Sequence, residues 1–224
     1  MKKVAFIGGY DKTDLILYVA RILTVLGNRV LFVDTTLTKK TKFILPKMGK
    51  AVNYITTFER IDVAIGFENL EAIEKYNENK LEYDYILIDI DSPVSYRNFK
   101  ITSKDENLFV TGFDLYTLRR GVNIFKALVE KTNFKKVYFS QNMTAEENRY
   151  LEFLVKNSFV EWSKEIIYFS INLQDMEIQN QNERMAKIKF RGFSTMYLDS
   201  IQYIVELISG LNKSQVKKAM KTIG

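Results

Sequence analysis

The opening 34 residues constrain this chain more than any other stretch. Val4-Ala5-Phe6-Ile7 is a short apolar run that stops at Gly8-Gly9, and from Thr13 to Leu26 apolar residues recur at helical spacing through Leu15, Ile16, Val19, Ile22 and Leu23. Gly27-Asn28 ends that helix, and Arg29 to Asp34 reads as a buried strand closing on a carboxylate. Strand, glycine turn, helix and strand make a complete βαβ unit, whose two strands are expected to pair in parallel.

The same alternation continues downstream. After a polar stretch with Lys39-Lys40 and Lys42, a strand is expected near Val63 to Phe67 and a helix from Glu68 to Lys75. Tyr83 to Asp89 carries four continuous apolar residues between acids, the pattern of a central strand covered on both faces. Strands at Leu108 to Thr111, Lys136 to Ser140 and Ile166 to Ser170 alternate with helices at Leu115 to Glu130, Ala145 to Val155 and Ser194 to Ile208. This predicts an α/β fold, a mostly parallel doubly wound sheet with helices on both faces and ligands at the carboxyl ends of the strands. With 224 residues and 46% hydrophobic content, one domain over residues 1–211 is expected, followed by a basic tail over 212–224.

Composition removes several chemistries. The chain has no cysteine and no histidine, which excludes disulfides, thiolate zinc sites, Ser-His-Asp triads and cysteine nucleophiles. Met1-Lys2-Lys3 and the apolar run after it imitate a signal peptide, but Gly8-Gly9 and Asp11 end the run too early, and the chain reads as cytoplasmic. The formal charge of +6 favours nucleic acid or anionic lipid as partners only weakly.

The turn itself reads Phe6-Ile7-Gly8-Gly9-Tyr10-Asp11-Lys12-Thr13. Lys-Thr at the head of a helix after a first strand is the arrangement that holds nucleotide phosphates. Backbone N–H groups and the helix dipole face the anion, Lys12 supplies a cation, and the Thr13 hydroxyl is placed to ligate Mg²⁺. Against G-x-x-x-x-G-K-[ST], however, Phe6 and Asp11 stand at both flanking glycine positions.

With these residues the chain resembles the MinD/ParA branch of P-loop ATPases, whose loop typically reads K-G-G-x-G-K-T-T. Gly8, Gly9, Lys12 and Thr13 match that loop, Ile7 replaces its signature lysine, Asp11 a glycine and Asp14 the second threonine. Asp34 matches the acid ending the second strand, and Thr36 stands where the family places a carboxylate that supports hydrolysis. Tyr83 to Pro93 is similar to the Walker B strand, with Asp89 as the Mg²⁺-side acid and Asp91 in a rival register. Asn142 resembles an adenine-contacting asparagine, though a polar residue at a strand end is also an ordinary turn former. The resemblance implies ATP or ADP with Mg²⁺ on Gly8, Gly9, Tyr10, Asp11, Lys12, Thr13, Asp34, Asp89 and Asn142, the metal on Thr13 and Asp89. Short degenerate pilus-assembly forms of the TadZ/CpaE kind are the nearest in look.

The substitutions act whatever the family. Asp11 sets a carboxylate where backbone approaches a polyanion, and its Cβ disfavours the positive φ open to glycine. Ile7 and Thr36 remove a transition-state cation and a water-orienting acid. The expectation is therefore a noncatalytic or very slow positional scaffold, a homodimer that recruits a partner protein in polar localisation, pilus assembly or partitioning. The alternatives are a working Mg-ATP-dependent dimerising ATPase and a surface-binding module without nucleotide. For the last, Lys213, Lys217, Lys218 and Lys221 border an apolar face of Val216, Ala219, Met220 and Ile223. Such a helix suits anionic membrane or nonspecific DNA, and equally suits packing of Val216 and Met220 onto its own domain.

Overall fold

The computed structural model describes residues 1–45, 51–78, 80–140 and 145–223. Its elements run β1 (Lys2–Ile7), α1 (Thr13–Val25), β2 (Val30–Asp34), α2 (Thr41–Ile44), β3 (Tyr54–Phe58), β4 (Ile61–Ile65), α3 (Leu70–Asn77), β5 (Tyr85–Ile90) and α4 (Pro93–Asn98). They continue with β6 (Glu106–Thr111), α5 (Leu115–Ile124), a 3₁₀ turn over Phe125–Ala127, β7 (Thr132–Ser140), α6 (Ala145–Val155), β8 (Val160–Ser170), α7 (Leu173–Met185), α8 (Thr195–Ser209) and α9 (Lys213–Lys221). Among the described residues one sheet holds eight strands in the order β3-β4-β2-β5-β1-β6-β7-β8. Every pairing is parallel except β3 with β4.

The central strands are apolar throughout because both faces are covered. Alternate residues of β1 serve opposite layers: Val4 and Phe6 join a cluster with α1, α8 and α9, while Ala5 and Ile7 join one with α3, α4, α5 and α6. The last helix belongs to the first layer. Val216, Ala219 and Met220 of α9 are buried against that cluster, its lysines are exposed, and Asn212 with Gln215 closes a capping box at its start.

Several boundaries differ from the sequence expectation. The helix expected to reach Glu130 stops at Ile124, because the backbone tightens into the 3₁₀ turn and Leu128 turns extended. β7 and β8 begin earlier than the apolar runs suggest, at Thr132 and Val160. The hairpin β3–β4 turns on Glu59 and Arg60, both left-handed (φ 49° and 67°), between the paired residues Phe58 and Ile61. Arg21 of α1 steadies it through the Glu59 carbonyl at 2.9 Å and the Glu59 carboxylate at 3.4 Å. Helix α4 starts from a Ser92 cap with Pro93 in its first turn, and α7 from an Asn172 cap.

Candidate functional site: the glycine turn at the head of α1

The turn between β1 and α1 lies at the carboxyl edge of the sheet, between β5 and β6. The Gly8 N–H donates to Ile90 O at 3.0 Å, which fixes the turn against the end of β5. A Cβ on Gly8, whose φ is +152°, would sit 1.9 Å from Val110 O, and one on Gly9 would sit 2.5 Å from Thr117 O. Both glycines are therefore required by the approach of β6 and α5, independently of any ligand. Asp11, by contrast, is not among the residues with positive φ, so its backbone does not demand glycine.

Asp11 and Lys12 of the turn are each answered by another part of the chain. The Asp11 carboxylate accepts from the Thr13 N–H at 3.1 Å through Oδ1 and pairs with Lys40 at 2.9 Å through Oδ2. An N–H at the head of α1, of the kind that holds a phosphate oxygen, is thus filled by a carboxylate two residues away. Lys12 turns inward: its ammonium lies 2.6 Å from Asp89 Oδ1 and donates to Gly8 O at 3.0 Å, with both side chains 1% exposed. Burial pushes the Asp89 carboxyl up to about 7, the Lys12 ammonium pulls it down and the neighbouring Asp34 raises it again.

Asp34 is wholly buried and faces its own loop. It accepts from the Thr36 N–H and hydroxyl at 3.0 and 2.6 Å and from the Thr41 hydroxyl and N–H at 2.5 and 3.3 Å. Thr36 therefore serves to fold the loop after β2 onto the strand end. Asp91 accepts from the Leu37 N–H at 3.1 Å and pairs with Arg120 of α5, while its other oxygen has no partner among the described residues. The rival acids thus divide the work: Asp89 takes Lys12 and Asp91 takes Arg120. Both border one cavity of about 310 Å³, together with Gly9, Tyr10, Asp11, Lys12, Thr13, Thr36, Lys40 and Arg120. Asn142 lies outside the described residues.

Lys40 and Arg120 carry much of this arrangement and have no sequence signal of their own. Lys40 reaches Asp11, Asp14 (2.9 Å) and Glu183 of α7 (2.5 Å), joining α1 and α7 across a second cavity of about 150 Å³. Burial holds the Asp14 carboxyl up to about 7, Lys40 works in the opposite sense and Glu183 adds to the rise. Tyr10 stacks on Phe139 with ring centroids 4.4 Å apart, and Phe139 stacks on Phe169 at 4.5 Å. Three carboxylates and three cations border the larger cavity, so it offers an incoming polyanion no surplus of positive charge. Among the described residues, no group of three or more carboxylates converges to hold a metal ion.

No protein-family model matches the chain, and no curated protein sequence matches it. Solved structures do. The MinC:MinD cell division protein complex of Aquifex aeolicus aligns over 95% of this chain and 97% of that chain, with a TM-score of 0.57 at 16% identity. An ATP complex of Cyanothece McdA aligns over 95% and 97%, with a TM-score of 0.55 at 11% identity. The structure of pNOB8 ParA bound to nonspecific DNA aligns over 94% and 99%, with a TM-score of 0.54 at 14% identity. The fold is that of the MinD/ParA-type ATPases, as the glycine turn and the strand-end acids imply. The finer likeness to the TadZ/CpaE forms rests on the sequence alone.

Proposed function

We propose that this chain of MinD/ParA-type fold works as a positional scaffold with little or no ATP turnover, a homodimer that recruits a partner protein in cellular positioning or partitioning. One observation carries the reading. Two groups that attract phosphate in this fold are already satisfied internally, the Thr13 N–H by Asp11 and the Lys12 ammonium by Asp89. A triphosphate entering the cavity has to displace both carboxylates, and Asp11 adds direct repulsion. The residues as arranged do not fit Mg-ATP. Thr36, spent on holding Asp34, and Ile7, packed in the core, supply neither a water-orienting acid nor a cation.

The competing reading is a working ATPase, and the 310 Å³ cavity bordered by Lys12, Thr13, Asp89 and Asp91 favours it. Calorimetric titration with Mg-ATP and Mg-ADP, paired with a steady-state hydrolysis assay, separates the two. The scaffold reading expects no saturable micromolar binding and no Mg²⁺-dependent turnover. Clear turnover that is lost in Lys12→Ala overturns it.

A membrane- or DNA-facing role for Lys213, Lys217, Lys218 and Lys221 is a further reading, supported by their exposure on α9. Because Val216 and Met220 are buried, that contact would rest on charge rather than insertion, and would weaken steeply with salt. No helix among the described residues is long and apolar enough to cross a membrane.

A further inference from the structure

A larger cavity lies away from the glycine turn. It is an open groove of about 450 Å³ between the end of α5 with its 3₁₀ turn and the segment joining α6 to β8. Val122, Phe125, Leu128 and Leu154 make an apolar floor, and Phe159 stands at its edge with half its surface exposed (51%). Phe125 packs against Phe109 (tilted rings, 4.9 Å) and Phe134 (edge-to-face, 5.0 Å) of the core, so the floor is continuous with it. On α6 the exposed Tyr150 and Phe153 share a face with Leu154, extending the apolar surface beyond the groove.

The rim has a one-sided charge. Arg119 and Lys126 border the groove, no carboxylate does, and among the described residues neither cation has an ion-pair partner. Nearby acids are spent elsewhere: Glu152 pairs with Lys136 and Glu161 with Lys131. We propose that this groove docks a segment of a partner protein that carries apolar side chains flanked by carboxylates. The inference deepens the scaffold reading above, on which it rests, by giving the recruited partner a surface and a chemistry.

Three physical points select that occupant. The concave apolar floor matches side chains entering a groove, whereas a lipid surface would reach only the rim. Two unneutralised cations beside an apolar floor favour acidic flanks and disfavour basic ones. A second copy docking through the same patch would oppose Arg119 and Lys126 to themselves across a two-fold axis, a like-charge arrangement. The groove and the phosphate-type cavity border different faces of α5, Arg119 lining the one and Arg120 the other.

The test is selection of binders to the full-length chain from a random peptide library displayed on phage, followed by fluorescence-anisotropy titration of the enriched peptides. Enriched sequences are expected to pair two or three apolar residues with Asp or Glu. Their affinity is expected to fall roughly tenfold in the Arg119→Glu/Lys126→Glu double variant, and comparably in Phe159→Ala. Peptides with basic flanks, or binding indifferent to all three groove substitutions in variants that melt like the parent, overturn the proposal. So does self-association abolished by the double variant, which would make a second copy the occupant, or loss of binding to phosphatidylserine vesicles in that variant, which would make it a lipid surface. ATP turnover by the parent chain would remove the scaffold reading while leaving a positive groove result intact.

Discussion

Replacing Asp11 with glycine should turn the phosphate-type turn from closed to receptive. The substitution frees the Thr13 N–H at 3.1 Å, removes one negative charge from the head of α1, and leaves Lys40 still held by Asp14 and Glu183. A carboxylate and a phosphate charge about 4 Å apart repel by about 1 kcal/mol in bulk water and about 4 kcal/mol at an effective dielectric of about 20. Because the Asp11 side chain is 55% exposed, the lower part of that range applies. Relief of about 1–2 kcal/mol corresponds to affinity about 5- to 30-fold tighter. Isothermal titration calorimetry with Mg-ATP on the parent, Asp11→Gly, Asp11→Asn and Asp11→Gly/Lys12→Ala reads this directly. Asn keeps the acceptor for Thr13 and loses the charge, so it should fall between parent and Gly, and the double variant should return to the parental level. If Asp11→Gly folds normally yet binds Mg-ATP no more tightly than the parent, or if the parent already binds at low micromolar concentration, the reasoning about self-occupation fails.

Four other outcomes follow from the same geometry. Gly8→Ala places a Cβ 1.9 Å from Val110 O at a φ of +152°, and should lower the melting temperature by at least about 6–10 °C, from a cost of about 3 kcal/mol or more. Lys12→Ala strands Asp89 in the core and should cost about 3–5 kcal/mol by urea denaturation at pH 8, less at pH 6 where the carboxyl takes a proton, with Asp89→Asn restoring part of the loss. Charge removal at Lys213, Lys217, Lys218 and Lys221 (all to Gln) should change stability by under about 1 kcal/mol, whereas Met220→Ala should cost about 2–4 kcal/mol, so the quadruple variant is the clean test of salt-dependent binding. Burial raises the phenols of Tyr10, Tyr83 and Tyr96 to about 12. A raised phenol binds its proton more tightly in the folded chain, so its stabilisation is complete below the ordinary value near 10 and is lost as pH climbs towards 12. Melts across that window should fall, and fall less in Tyr83→Phe.

What could be read beforehand is what burial imposes locally. β1, β2 and β5 sit inside a parallel sheet, so Val4 to Ile7, Val30 to Val33 and Ile86 to Ile88 are unbroken apolar runs, and the turn between the first two announces itself by Gly8-Gly9. The missed elements lack such local marks. β3 turns into β4 over Glu59-Arg60, with no glycine, asparagine or aspartate to signal a two-residue hairpin. α7 shows little apolar periodicity, and its buried members include Asp175, which caps Ser194, and Asn182, which reaches the Tyr18 hydroxyl. Lys40 and Arg120 escaped for a different reason. Their partners lie far away in sequence, and a lysine in a polar stretch carries no trace of three carboxylates gathered by α1 and α7.

The departures from the P-loop pattern act together rather than one by one. Asp11 and Asp14 jointly hold Lys40, Thr36 ties Asp34 to the loop that carries Lys40, and Asp89 closes on Lys12. An anion that claimed Lys12 would leave Asp89 buried without its counter-ion, at a cost comparable to breaking a buried pair, about 3–5 kcal/mol. Ligand binding at this turn therefore competes with the internal ion pairs that hold the turn, the loop after β2 and α7 in one arrangement. Protonation of Asp89, whose carboxyl burial already pushes up to about 7, offsets this cost as Lys12 leaves, so anion affinity at this turn should rise as pH falls from 8 to 6 in calorimetric titrations.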